Sequence, residues 1–386
     1  MSPNNWKVRI ANLKKHYTVR EAIRKVFFYP PPYLPYMEHI SNSLQSFFAT
    51  THRILNFRKE KYYLDLPLAV YDLRFSPASY DLAYFLYEAD CYFRGNGYEK
   101  FNLVIVPEIA ESTPSGINKD WKQVISEDSR RQRIFNMLLP MASMYESCSS
   151  VSLINDVELI VHICRSHFCV FPQNYDGVFI RTHMSYLNVY DFERKKTYFS
   201  GFSSFSSDLD KVKSWISSQG INLPFITFTL RHYVHQPERN SNIADYLKFA
   251  NYLCEVGISS VFIPDTDDLS YISELSEYPV FFTGAFNLYQ RQAIYELALT
   301  NIFACSGCHS LCALNKRCSY IMSGIINENY NMENLYKPRG LKYGDQPFCD
   351  NRGVWEWGGE TFDSLKNSFD LLLKLKSKQL YIQHFV

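Results

Sequence analysis

Residues 223–267 contain LPFITFTLR (223–231), SNIADYLKFANYLCEVG (241–257) and SSVFIPDTD (259–267), and their order decides the fold class. The first piece reads as a strand. The second reads as a helix with Ser241 as its cap and Gly257 as its stop, and the third as another strand. Strands alternating with helices in this way build a parallel α/β sheet. The rhythm continues downstream through YPVFFTG (278–284), the helix LYQRQAIYELALT (288–300), NIFACSG (301–307), SYIMSG (319–324) and a last helix over 361–376.

Upstream the same alternation is present in a first half. YYLDLPLAVYDLR (62–74) is a strand ending in polar residues, and FNLVIVPEI (101–109) is an apolar run of the buried parallel kind. Between them, SPASYDLAYFLYEADCYF (76–93) predicts a helix capped by Ser76 with Pro77 at its first position. A charged amphipathic helix over 120–139 and a strand over 147–154 follow. Residues 172–222 are less regular, with Ser- and Gly-rich pieces such as FSGFSSFSSD, and read as the domain junction. The expected architecture is α/β, with two Rossmann-like domains facing across a cleft. Their expected spans are 63–215 and 216–386, after a basic lead-in over 1–62.

Composition narrows the function classes. The chain has 386 residues, beyond the size at which one core usually divides. With 40 Lys and Arg against 39 Asp and Glu, its net charge of +1 carries no signal for nucleic acid. Ten cysteines in so long a chain are not a disulfide scaffold. No signal-like or membrane-spanning apolar run occurs, so a cytoplasmic setting is expected. The first 35 residues are locally basic: Lys7, Arg9, Lys14, Lys15, Arg20, Arg24 and Lys25 are opposed by Glu21 alone. Together with Phe27, Phe28 and Tyr29, this arm would suit an anionic membrane surface on the inner face of the cytoplasmic membrane.

The candidate chemistry gathers at strand ends, which face the ligand crevice in an open α/β sheet. Arg231 closes the first strand of the second half, while Arg239 and Asn240 precede the next helix. Two arginines around such a loop could grip a diphosphate or form loop salt bridges. Asp265 and Asp267 could meet a ribose, cap a turn, or hold a divalent cation for which no third ligand is evident. Glu296, Ser306 and Gly307 would let backbone amides approach a nucleotide, with Arg291 anchoring Glu296 or a loop. Cys305, Cys308, Cys312 and Cys318 with His309 lack the pair-and-pair spacing of a zinc ribbon and read as structural thiols, so no metal site is expected. For a base from the first half, Asp72 at a strand end ranks first. Asp81, Glu108, Glu111 and His183 are alternatives. Neither a Walker loop nor G-x-G-x-x-G is present.

Three stretches together, VYDLRFSPASYDLAYFLYEAD (70–90), TLR…ERNSN…FIPDTD and RQAIYELAL (291–299), resemble bacterial proteins encoded with surface-polysaccharide enzymes. The second half is similar to the nucleotide-sugar domain of GT-B glycosyltransferases of the heptosyl- and fucosyltransferase-like branches. That resemblance implies a nucleotide diphosphate sugar as donor substrate, held by the C-terminal domain, and a glycan or lipid-linked sugar acceptor on the N-terminal one. By it, Arg231 and Arg239 meet the diphosphate, Asp265 lies by the nucleoside, and Ser306 with Gly307 line the phosphate end. It implies no firm cofactor, with magnesium secondary. A sugar-nucleotide epimerase or hydrolase, and a non-catalytic sugar-nucleotide-binding or scaffold protein, are alternatives on the same fold.

Overall fold

Phe225–Thr229 (β5) is buried along its whole length, as a central parallel strand must be when helices cover both faces. The computed structural model describes residues 66–74, 76–107, 126–167, 169–173, 175, 189, 193, 195–233, 236–266, 269–327 and 331–383. The basic arm, Glu108, Glu111, His183 and Asp267 lie outside them. Among the described residues the strands form two sheets, one of four and one of five, and every strand pairing is parallel. The chain is α/β.

Contacts divide the described chain into two compact units, cut between Val70 and Tyr71, Leu153 and Ile154, and Arg181 and Thr182. In the first unit, Leu68 and Ala69 of β1 (Leu68–Asp72) pair with β4 (Val170–Phe171). Helix α4 (Val157–Ser166) is capped by Asp156, whose carboxylate accepts from the Glu158 and Leu159 N–H groups. No sequence expectation had placed that helix.

The second unit holds α1 (Asp81–Gly95), β2 (Phe101–Val106) and β3 (Cys148–Leu153), with β2 and β3 paired. Between those strands, α2 (Glu127–Arg133) passes through a wide π turn (Ile134–Leu138) into α3 (Leu139–Met144). Its five-stranded sheet has the order β6-β5-β7-β8-β9, from β6 (Ser259–Ile263), β7 (Thr300–Ala304), β8 (Tyr320–Ser323) and β9 (Gly353–Trp355). Ile226 and Phe228 join Phe249, Leu253, Phe262 and Ile302 in one core cluster. Helices α6 (Ile243–Glu255) and α9 (Phe362–Gln383) cover this side, contributing Tyr246 and Phe369. Thr227 and Thr229 alternate with Ile226 and Phe228 along the strand. Their hydroxyls are satisfied by Asn301 Oδ1 at 2.6 Å and by Tyr295 OH at 2.8 Å, the latter on α8 (Leu288–Leu297).

Four sequence expectations are corrected. Helix α1 begins at Asp81, not at Ser76, because Ser76 N–H bonds to Asp72 O at 2.8 Å and Tyr71 OH to Pro77 O at 2.8 Å, which hold the preceding turn. The cap of α6 is Asn242, whose side chain accepts from Asp245 N–H, because the Ser241 hydroxyl instead accepts from Arg231 N–H at 2.9 Å. The stretch 278–284 forms a single bridge, Val280 to Phe262, and then turns into the short helix α7 (Thr283–Phe286). Finally, the supposed linker contains α5 (Ser206–Ser218), which buries Val212 and Ile216 four residues apart and packs on α8.

Asp90 of α1 fixes the chain that leads into α5. It is 1% exposed, and its carboxylate accepts from Arg94 Nε, Ser200 N–H, Ser200 Oγ and Tyr145 OH. Beside it, Glu146 N–H bonds to Gly201 O and Ser203 N–H to Met144 O, each at 3.0 Å. Among the described residues no helix is long and apolar enough to cross a membrane.

Candidate functional site

The carboxyl ends of β5, β6 and β7 open on one cavity of about 220 Å³ within the second unit. Leu230, Arg231 and Tyr233 follow β5, Asp265 and Thr266 follow β6, and Ser306, Gly307 and Cys308 follow β7. The α7–α8 segment adds residues 284–286, Leu288 and Arg291. Tyr80, just before α1, and Ser129, Gln132, Arg133, Asn136 and Met137 of α2 and the π turn complete the wall. Among the described residues, three guanidinium groups (Arg133, Arg231, Arg291) thus line it with one carboxylate, Asp265.

Arg231 is set by its own loop. Ser241 clasps its backbone on both sides, with Arg231 N–H bonded to Ser241 Oγ and Ser241 N–H to Arg231 O, each at 2.9 Å. Its Nη1 donates to Gln236 O at 2.9 Å and to Asn240 Oδ1 at 2.5 Å. Gln236 has a φ of 58°, a left-handed turn that folds the loop back on the arginine. Burial, and after it the charge of Arg239, hold the Arg231 guanidinium below its ordinary pKa. Asp265 is aimed by two bonds: His232 N–H donates to its Oδ2 at 3.0 Å, and its own N–H donates to Tyr271 OH at 2.7 Å.

Arg291 is 6% exposed. Its Nη1 donates to Tyr80 OH at 2.9 Å and its Nε to Gly284 O, so it anchors two walls and not Glu296. Burial pushes the Tyr80 phenol up, which keeps it a neutral hydroxyl. Gly307 is tightly packed. A Cβ there would lie 2.8 Å from Tyr80 Cβ, so the absent side chain admits Tyr80, where the sequence had suggested room for a nucleotide.

The remaining predicted residues act at one remove or lie elsewhere. Arg239 is not on the wall; its Nε and Nη2 fork onto Cys305 O at 2.9 and 2.5 Å and hold the β7 loop beside the β5 loop. Asn240 positions Arg231 and takes Tyr233 N–H at 3.1 Å. Glu296 is a structural tie, accepting from Ser204 N–H at 2.7 Å and Asn315 Nδ2 at 2.8 Å, with Arg317 at 3.4 Å. Asp72 is fully buried and away from the wall, with both oxygens taken by Arg74 at 2.6 to 3.1 Å. A carboxylate so held does not reach an acceptor hydroxyl. Asp81 pairs with Ser79 Oγ at 2.6 Å.

Among the described residues no three His, Cys, Asp or Glu side chains gather to hold a metal ion. The thiols near β7 are free; burial pushes Cys305, Cys308 and Cys312 up, so they stay protonated. His309 is held by Ser306 O at 2.5 Å and Tyr84 OH at 2.9 Å, and burial lowers its pKa to about 4.

Sequence reasoning missed the wall built by α2. Its RRQR run (130–133) lies within the charged amphipathic helix expected over 120–139, and no local signal announces the π turn that brings Asn136 and Met137 to the cavity.

No family model matches the chain, and no curated protein matches it at a significant level. Among solved structures it is similar to a glycosyl transferase family 9 protein from Veillonella parvula DSM 2008, at 13% identity and a TM-score of 0.48, over 80% of this chain and 98% of that one. It is also similar to the E. coli ADP-heptose LPS heptosyltransferase II (10%, TM-score 0.44, 81% and 99% covered). A third is the E. coli heptosyltransferase WaaC with ADP (10%, TM-score 0.38, 79% and 99% covered).

Proposed function

We propose that the protein is a glycosyltransferase that moves a sugar from a nucleotide diphosphate sugar to a glycan or lipid-linked acceptor. The observation that carries this reading is the convergence of three parallel strand ends on one cavity, with Arg231 and Arg291 in its wall and Asp265 beside them. That arrangement supplies what a donor of this class requires. A guanidinium matches phosphate oxygens through planar, charge-assisted bonds, and a strand-end carboxylate accepts from ribose hydroxyls.

In the reaction the acceptor hydroxyl oxygen bonds to the anomeric carbon and gives up its proton to water, while the bond from that carbon to the diphosphate oxygen breaks. Negative charge grows on the departing diphosphate. Arg231, held rigidly by Ser241, Gln236 and Asn240, stabilises that charge more in the transition state than in the ground state. Asp265 orients the nucleoside, and Ser306 with Gly307 lines the phosphate end. Asp72 is given no part in proton transfer, since Arg74 occupies both its oxygens. An epimerase or hydrolase would need several acids around the sugar carbon, and among the described residues the wall supplies one carboxylate.

A transfer assay over a panel of nucleotide sugars, with calorimetry for the same donors, tests this. Arg231→Ala should lose roughly 10- to 150-fold in donor affinity and turnover, from a contact worth about 1.5 to 3 kcal/mol. Arg231→Lys should recover part, since it keeps the charge and loses the fork. A folded Arg231→Ala protein with normal affinity and turnover overturns the assignment.

A further inference from the structure

Helix α1 presents three tyrosines on one face, Tyr80 at its cap, then Tyr84 and Tyr87 four and seven residues on. Tyr80 OH takes Arg291 Nη1 at 2.9 Å, Tyr84 OH lies 2.9 Å from His309 Nε2, and the Tyr87 ring packs edge-on against Phe199 and Phe348 at 5.0 and 5.4 Å. We infer that Tyr84 is a positioning residue for the donor site, acting through His309 on the loop that carries Ser306, Gly307 and Cys308 into the cavity wall. The inference deepens the donor-binding reading and rests on it for what that loop holds.

The hydrogen bonds fix how Tyr84 acts. His309 Nδ1 lies 2.5 Å from Ser306 O, and a carbonyl only accepts, so Nδ1 carries the ring's proton. Nε2 is then the lone-pair nitrogen of a neutral imidazole, and Tyr84 O–H donates to it. Burial lowers the ring's pKa to about 4, which keeps it in that neutral form. The phenol therefore selects the tautomer. With the proton on Nε2, Nδ1 would turn a lone pair toward the Ser306 carbonyl and lose the bond.

Ser306 O is the middle one of three consecutive carbonyls held by side chains. Arg239 forks onto Cys305 O, and Ser310 Oγ donates to Gly307 O at 2.8 Å. Arg239, His309 and Ser310 all stand off the wall, so the loop is held from behind while Ser306, Gly307 and Cys308 line the cavity. A loop held in one shape in advance loses little freedom when a ligand arrives. Arg239 and Ser310 belong to the second α/β half, whereas His309 is set by a group of α1, 225 residues away. Tyr84 is in turn steadied by Phe348, whose ring lies 6.0 Å away. Phe348 holds a φ of 59°, a left-handed conformation unusual for a bulky residue.

Inorganic pyrophosphate is titrated calorimetrically into the full chain and into Tyr84→Phe, His309→Asn, their double variant and Tyr87→Phe, with the imidazole nitrogens of His309 followed by NMR. Tyr87→Phe is the control, a hydroxyl removed from the same helix on the side of Phe199 and Phe348. Wild type should show the Nδ1–H tautomer. Tyr84→Phe should shift the ring toward Nε2–H and weaken pyrophosphate about three- to ten-fold, the range for one neutral hydrogen bond. His309→Asn places an amide nitrogen where Nδ1 stood and has no tautomer to choose, so adding Tyr84→Phe to it should cost nothing further. Tyr87→Phe should bind as wild type does, whatever it loses in melting temperature. An Nε2–H tautomer in wild type, equal losses in Tyr84→Phe and Tyr87→Phe, or losses that add in the double variant overturns the relay. Nucleotide-sugar turnover with a donor affinity untouched by Tyr84→Phe refutes the relay and leaves the transferase reading standing. Pyrophosphate binding that needs Tyr84 through His309, with no nucleotide sugar bound or transferred, does the reverse.

Discussion

Replacing Gly307 with alanine places one methyl group where the wall has no room. The new Cβ would lie 2.8 Å from Tyr80 Cβ, 3.3 Å from its Cδ2 and 3.4 Å from its Cγ. Ordinary carbon contacts begin near 3.5 Å, so one side must move by about 0.7 Å. The ring cannot simply rotate away, because the nearest atom is the one fixed to the backbone, and Tyr80 OH is tethered by Arg291 at 2.9 Å. Overpacking of this kind costs about 1 to 3 kcal/mol. In a unit of this size that lowers Tm by roughly 2 to 5 °C. The same movement shifts Arg291 and Ser306 on the wall, so donor affinity should fall with stability. The assay is thermal melting and donor calorimetry on Gly307→Ala, alone and combined with Tyr80→Ala or Tyr80→Gly. Since alanine retains the offending Cβ, Tyr80→Ala should leave the penalty in place and Tyr80→Gly should remove most of it, a coupling read from the double-mutant cycle. A Gly307→Ala protein melting within about 0.5 °C of wild type refutes the packing argument, as does relief by Tyr80→Ala equal to that by Tyr80→Gly.

Two further outcomes are expected. Asp72→Asn breaks a buried, bidentate ion pair with Arg74 and should cost about 3 kcal/mol in denaturant unfolding; pyrophosphate affinity of the folded variant should be unchanged, because Asp72 is off the wall. His309, lowered by burial to about 4 from 6.5, binds its proton more readily in the unfolded chain, so the stability it contributes is complete above pH 6.5 and is lost as pH falls toward 4, by up to about 3 kcal/mol. Imidazole NMR signals that titrate near 6.5 in the native protein would contradict this.

The second half of the fold was legible because apolar strands and capped helices alternate there without interruption. β5, β8 and α6 lie within two residues of their expected bounds, while β6 stops four residues and β7 three residues before the expected end. Arg231, Asp265, Ser306 and Gly307 lie on one cavity wall for the same reason, since strand ends can be located once strands are. What escaped was set by tertiary contact. α5 was hidden because its serines break the apolar period, and only packing on α8 shows which face is buried. Asp72 looked like a base from its position alone, yet Arg74 two residues on folds back and takes its carboxylate. Arg133 and Tyr80 belong to segments far in sequence from the strand ends, and nothing local could place them on the same wall.

The contacts around Asp90 have a consequence for how this chain can vary in length. Residues 144–147 and 200–203 are pinned together by Asp90, Ser147 and the flanking backbone bonds, so everything from Cys148 to Phe199 is a closed loop rooted at one place. Closing such a loop costs entropy that grows only with the logarithm of its length, about 0.6 kcal/mol for each doubling. The closure itself therefore depends only weakly on how much chain lies between the two roots. The two short roots tolerate no change in length, because a single added residue would slide Ser200 off the carboxylate that holds it.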